Sequence, residues 1–426
     1  MNEADLRRDL QRASADVRTP ADPQELWDSG TRLRRRRQLM VIAGAAVTTV
    51  AITVASVAVQ ARDSALPDRP ATTASPTPPE DSVAPLGKVP YVTEEQVQPQ
   101  FDPAELDSVP WDPAITVRSW DPVDPVPLVD DPVEHAAVAV QSNYDEPDAI
   151  AVLGDDGRWR SLDVSGLGFP KSYEYELGVS RGSLSPDGTH LALGQIDGVV
   201  VVDLTSGARR TYDVPGLGPR WQSRQVFWNP DATRVYVSSA AATPARAIDL
   251  ATGESAAVPF EPGASAFLAD GTVIEDFNNI RTYREQIRIY DPDGDMVFRA
   301  SIDDTVLDWL QDLSGGGDRW AAQRVTRSWT QEDPRGPSAP ASGILIMDAD
   351  ARPEALLPVK RYGLNGGGGA VLGWRGDDTV LFRIYHIRAP EAVVAWNVDS
   401  GEITRIADYE MTAGDIAVAA DYLPTQ

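Results

Sequence analysis

From about residue 134 the chain repeats itself. A short apolar strand, a tight turn and a second strand recur, with the turns marked by Gly157, Gly207, Gly253, Gly294, Asp350 and Gly401. The intervals between markers are 50, 46, 41, 56 and 51 residues. AIAVLG and RWRSLDV flank the first marker, GVVVVDL and ARRTYDV the second, AVVAWNV and EITRIADY the last. Glycine or aspartate at such points supplies the backbone conformations of tight hairpins. Hardly any stretch here keeps a helical period beyond two turns. The apolar residues must therefore be buried through strands, which makes the body all-β.

A second turn recurs upstream of the first. LSPDGTHLA at 184–192 is repeated as FWNPDATRVY at 227–236, with shorter echoes in FLADGTVI at 267–274 and LGWRGDDTVL at 372–381. Each unit thus holds about four strands and two hairpins, and radial repetition of such units is the sign of a β-propeller. A plain sandwich does not generate six similar units. Six markers predict six blades. Seven is the alternative, if residues 111–130 add strands and the long fifth unit is split. The first unit lacks one strand, whereas DIAVAADY at 415–422 has no partner in its own unit. Residues 415–421 are therefore expected to supply the innermost strand of the first blade. A ring closed in this way exposes no inner sheet edge.

The SPDGTHLA segment, followed by the VVVVDLTSG strand and turn, resembles the repeat of WD40-like or TolB-like β-propellers. The likeness is clear at 180–215 and 222–260, fair at 264–302 and 365–409, weak at 134–165 and poor at 305–360. The G-H…W-D signature of the strict WD40 repeat is missing. The resemblance implies a fold and hardly any function.

Ahead of the body, LMVIAGAAVTTVAITVASVAV at 39–59 carries no charge over 21 residues. As a helix it would be about 30 Å long, enough for the hydrocarbon core of a bilayer. Arg32 and Arg34 to Arg37 precede it. Residues 1–38 carry nine arginines and seven acids, whereas residues after 60 carry 29 basic and 57 acidic side chains. The positive-inside rule then places 1–38 in the cytoplasm and the rest outside, on a signal-anchor transmembrane helix. A cleaved leader ending near Val59-Gln60-Ala61 is the rival reading. Leu6, Leu10, Ala13 and Val17 line one side of a short helix in the tail, where a cytoplasmic partner could dock. Residues 60–131 are rich in proline and read as a linker. Tyr91, Phe101, Trp111 and Trp120 mark its second half as a strap lying against a propeller domain at 132–426. This layout is similar to that of membrane-anchored propeller proteins of high-GC Gram-positive bacteria.

Composition narrows the function. The formal net charge of -26 repels polyanions, so nucleic acid is not an expected partner. There is no cysteine and there are three histidines, so thiol chemistry and histidine-rich metal sites are not available. No G-x-S-x-G elbow is present. Acidic doublets such as Asp130-Asp131, Asp303-Asp304 and Asp377-Asp378 lack the spaced loop of a calcium hand. Gly315 to Gly317 and Gly366 to Gly369 read as close backbone approach near a central channel. A strand, AVLGW, follows the second run, which does not suit a phosphate cradle.

No catalytic residue, cofactor or metal is therefore expected. The expected function is an extracytoplasmic, membrane-anchored module that binds a protein or polymer of the cell envelope. The alternative is a glycan-acting hydrolase or lyase with paired carboxylates and tryptophan platforms on a propeller face. Trp309, Arg319, Trp320, Arg324, Arg327 and Trp329 stand out in an acidic domain and are the expected contact residues, since Trp and Arg dominate binding hot spots.

Overall fold

The computed structural model describes residues 87–90, 92–110, 115, 119–141, 149–165, 167, 179–195, 197–214, 225–238, 244–279, 284–301, 309–325, 343–359, 369–384, 391–409 and 416–419. All belong to one unit, Glu80–Gln426. The tail and candidate span, at 1–59, lie outside the described residues. Among the described residues no helix is long and apolar enough to cross a membrane.

The body is a six-bladed β-propeller whose blades follow chain order. Blade 1 holds Ala136–Gln141, Ala149–Gly154 and Trp159–Asp163, and blade 2 holds His190–Gly194, Gly198–Asp203 and Arg209–Asp213. Blade 3 runs from Val226–Trp228 through Arg234–Val237 and Arg246–Asp249 to Ser255–Ala257. Blade 4 runs from Ser265–Phe267 through Val273–Asn279 and Arg284–Tyr290 to Met296–Ser301. Blade 5 comprises Trp309–Gly316, Arg319–Val325, Gly343–Asp348 and Pro353–Pro358. Blade 6 comprises Ala370–Arg375, Thr379–Ile384, Glu391–Asn397 and Ile403–Tyr409. The inner edge of blade 2 is a single bridge, Leu184 to Leu191.

Burial explains the sequence gradient along each unit. Central strands are covered on both faces by neighbouring blades, so GVVVVD in blade 2 is buried through its first five residues. The outer strand RRTYD buries only Tyr212. Five of the six marker turns place their glycine at positive φ: Gly157, Gly207, Gly253, Gly294 and Gly401. In the fifth unit the left-handed residue is Ala351, at φ 60°, one position past the Asp350 marker.

The ring closes on its own C-terminus. Ile416–Val418 pairs antiparallel with Ala136–Gln141, setting Ile416 opposite Val140, Ala417 opposite Ala139 and Val418 opposite Val138. All three strand residues are buried. This is the closure expected from the orphan strand.

The proline-rich strap is a belt. Gly87–Lys88 adds parallel to the outer strand of blade 4, opposite Ala300 and Ser301. Val97 and Phe101 bridge Leu356 and Val359 at blade 5, and Ser108 and Ser119 bridge Arg405 and Asp408 at blade 6. Val126–Pro127 then adds parallel to the outer strand of blade 1. Four consecutive outer edges are thus covered in one direction. Trp120, Ile115 and Leu128 anchor the belt in the main hydrophobic cluster. Proline suits this position, because a segment paired on one side needs no second row of N–H donors and deters further strands.

Candidate binding cleft

The axis of the ring is nearly filled. The innermost strands leave a cavity of about 140 Å³ lined by residues that include Arg181, Phe227, Gly315, Gly373 and Val418. Glycine makes this approach close: a Cβ on Gly315 would lie 2.1 Å from the Phe267 carbonyl oxygen, and one on Gly316 would lie 2.3 Å from the Trp374 ring. Arg181 stands 5.7 Å over the Phe227 ring and 3.7 Å from Asp312. Small-molecule sites usually occupy about 300–1,000 Å³, so the axis is a poor substrate site.

More room lies between blades 3 and 4, at the end of the ring that carries the hairpin turns. Two adjoining hollows of about 860 and 640 Å³ share Arg234, Tyr236, Asp249, Gly271 and Pro292. Their floor is aromatic. Tyr236 stacks on Phe267 at 4.8 Å and 12°, and meets Phe260 edge-on at 5.5 Å. Phe260 in turn packs on Tyr290 at 5.6 Å. Alternation places these rings: Val235 and Val237 are fully buried on one side of their strand, which turns Tyr236 to the other.

Carboxylates rim the cleft. Asp231 accepts from the Thr233 hydroxyl at 2.6 Å and its N–H at 3.1 Å. The Thr233 hydroxyl does most to hold the Asp231 carboxyl below the usual carboxylate range. At Asp249 the Thr252 N–H does the same. Asp270 caps its own turn through Thr272, and Asp291 caps through Asp293 and Asp295. These acids first serve their turns, and in doing so leave fixed negative charge around the rings. Arg234 is a cation among them, and burial pushes the Tyr236 phenol up.

Behind the floor, Glu275 is buried. It accepts from the Tyr290 hydroxyl at 3.0 Å and the Glu261 N–H at 2.8 Å, with Arg288 3.6 Å away. Burial raises the Glu275 carboxyl despite these partners. Burial and the neighbouring Glu275 push Tyr290 up to about 12. The network ties the connection between blades 3 and 4 to the sheet of blade 4.

Of the residues singled out from sequence, the structure describes the side chains of Arg319, Trp320 and Arg324, and these do not share one exposed surface. Trp320 is fully buried, its indole N–H donating to the Asp348 carbonyl oxygen at 2.9 Å. Arg324 is also fully buried. Arg319 is partly exposed and tied down, at 2.9 Å from Glu354 and 2.7 Å from Asp399 of blade 6. Trp309 opens the first strand of blade 5. Arg327 and Trp329 lie outside the described residues. Elsewhere Trp374 and Trp396 are fully buried and Trp228 nearly so, with Trp228 bonding the Ser183 carbonyl oxygen and Trp374 that of Ser314, each at 2.9 Å. These indoles are wedges, not platforms.

Among the described residues no three His, Asp or Glu side chains are grouped to hold a metal ion. Asp131 pairs with Arg158 and Arg160, and Asp378 accepts from Asn397 and Thr379, so these doublet members serve the fold. Sequence reading missed the cleft because its rings come from separate units. The one signal was the Phe–aromatic character of 227, 236, 260 and 267, which reads equally as core.

No family model and no curated protein matches the chain. Among solved structures it is similar to TolB from Acinetobacter baumannii, at 14% identity over 67% of each chain with a TM-score of 0.45. The β-propeller domain of the trilobed protease from Pyrococcus furiosus, described as having an open velcro topology, is 15% identical over 65% of this chain and 84% of its own, with a TM-score of 0.38. An oligogalacturonate lyase in complex with manganese is 12% identical over 65% of this chain and 74% of its own, with a TM-score of 0.35. These likenesses are remote; that the chain is an all-β, six-bladed propeller follows from its own sheet order.

Proposed function

We propose that the chain is an extracytoplasmic binding module of the cell envelope, held to the membrane by residues 39–59 and engaging a protein or polymer through its propeller. The observation that supports this most is the cleft between blades 3 and 4, which pairs an aromatic floor with more room than the ring axis offers. Aromatic anchors in a desolvated hollow, rimmed by charge, are how binding surfaces concentrate affinity. A glycan-acting enzyme would present facing carboxylates beside exposed tryptophans. Trp228, Trp320, Trp374 and Trp396 are instead buried in and between the sheets.

Two experiments test the reading. Protease treatment of intact cells should digest the propeller, and its survival where a known surface protein is cut would count against the topology. Affinity capture from detergent-solubilised envelope should recover a partner with the full chain and lose it with Phe267→Ala. Identical partners from both baits would remove the cleft from the reading. Turnover of an envelope glycan with no captured partner would replace binding by catalysis.

A further inference from the structure

The belt is not held evenly along its length. Over blades 4 and 5 its grip is light. Gly87–Lys88 meets the outer strand of blade 4 at two register positions, and the Val89 N–H reaches the Ser301 carbonyl oxygen at 3.3 Å. At blade 5 the Gln98 N–H donates to the Leu356 carbonyl oxygen at 2.8 Å, and the Gln96 side-chain amide donates to that of Pro353. Val89 is buried, but Val92, Val97 and Phe101 are only partly buried. Phe101 touches Phe382 of blade 6 edge-on at 6.3 Å. A hollow of about 590 Å³ lies beside Pro90, walled by Val297 and Phe298 of the blade 4 edge and by Ala349, Asp350 and Arg352 of blade 5.

Over blades 6 and 1 the grip is firm. Pro103 is buried. The Val109 N–H and the Asp107 carbonyl oxygen both bond the backbone of Arg405. The Trp120 N–H donates to the Asp408 carbonyl oxygen at 2.8 Å, and the Leu128 N–H to that of Ser161 at 2.9 Å. Ile115, Trp120 and Leu128 are fully buried, in the same cluster as Ile416, Ala417 and Val418 of the closing strand. This half of the belt therefore shares its core with the closure of the ring, whereas Val92, Val97 and Phe101 pack onto two other clusters from outside.

We propose that the belt has two parts: residues 87–101 are a strap that detaches from blades 4 and 5 while the ring stays closed, and residues 115–128 belong to the core of the ring. A segment with few buried apolar contacts and few backbone bonds opens locally, well below the cost of global unfolding. The residues between, from Pro103 to Val109, are where the firmer hold begins. Detachment bares the outer edges of both blades. That of blade 5, Pro353–Pro358, has a proline at each end, which deters pairing. That of blade 4, Met296–Ser301, has none, and its Val297 is 52% exposed. The strap thus makes the blade 4 edge open only on release. The inference invokes neither the cleft nor an envelope partner, so it stands apart from the binding-module reading.

Amide hydrogen exchange on the full chain in neutral detergent tests this without any variant. Relative to their unstructured rates, the amides of Val89 and Gln98 should exchange about a hundredfold or more faster than those of Trp120 and Leu128, which open only with the ring. Equal protection at the four overturns the proposal. Fast exchange confined to Val89, with Gln98 as protected as Trp120, also overturns it, because only an end then frays. Two substitutions add a second readout. Phe101→Ala should speed exchange at Gln98 by about tenfold and leave the melting temperature of the ring unchanged. Trp120→Ala should lower that temperature or prevent folding. A melting temperature lowered as far by Phe101→Ala as by Trp120→Ala makes the belt one unit and overturns the proposal. If Trp120→Ala does not fold, the exchange of the unmodified chain decides alone.

Discussion

Ile416 lies opposite Val140, so the last described strand of the chain is the innermost strand of the first blade. Three residues at one end thereby hold the ring against the other end. Ala417, in the middle of that strand, is fully buried. Ala417→Asp places a charge where neither water nor a counter-ion reaches, and should cost about 3 kcal/mol or more. Urea denaturation should show this as a lower midpoint. Removal of residues 412–426 should unfold the body or make it aggregate. A truncated chain with unchanged melting would show that closure contributes nothing.

Close packing at the axis gives a second outcome. A methyl group on Gly316 would meet the Trp374 ring, which is itself fully buried and bonded to the Ser314 carbonyl oxygen. Gly316→Ala should destabilise the chain by about 1–3 kcal/mol through overpacking. A double variant Gly316→Ala with Trp374→Leu should recover part of the loss, because the ring that clashes is gone. Additive losses in that pair would place the strain elsewhere.

Glu275 gives the fold a pH dependence of definite sign. Burial raises its carboxyl in the folded chain above the unfolded value of about 4.3. Between those two values the folded state holds a proton that the unfolded state has lost. The stability from this group is therefore full below about pH 4.3 and is lost as pH rises through the folded value. Glu275→Gln has no such titration. From about pH 4 to about pH 8 the wild type should lose stability relative to that variant. A difference that is flat, or that runs the other way, would mean the Tyr290 and Glu261 hydrogen bonds outweigh burial.

Arg319 and Asp399 join blades 5 and 6 at 2.7 Å, yet the Asp399 side chain is 62% exposed. Exposed pairs contribute little, so a double-mutant cycle with Arg319→Ala and Asp399→Ala should give a coupling of about 0.2–1 kcal/mol, smaller in high salt. A coupling that is large and indifferent to salt would contradict this account.

Tight hairpins and apolar runs act locally, so the blade count and the ring order could be read from spacing alone. LSPDGTHLA carries its own turn: Asp187 accepts from Thr189 and Ser185, and Gly188 takes the left-handed conformation. The closing strand was legible for a similar reason, since an apolar segment without a local partner must pair at a distance. The belt was legible only as a strap, because its contacts are single bridges and two-residue strands whose positions follow from the curvature of the ring. Trp320 and Arg324 looked like surface anchors because composition says nothing of which face of a strand meets the next blade. Tertiary structure decided that, by stacking blades face to face. It also decided the cleft, where Tyr236, Phe260 and Phe267 meet only because two blades abut and their turns bring the carboxylates to one rim. Sequence determined the repeating unit because hairpin chemistry is local, whereas the site depends on neighbours that only closure of the ring supplies.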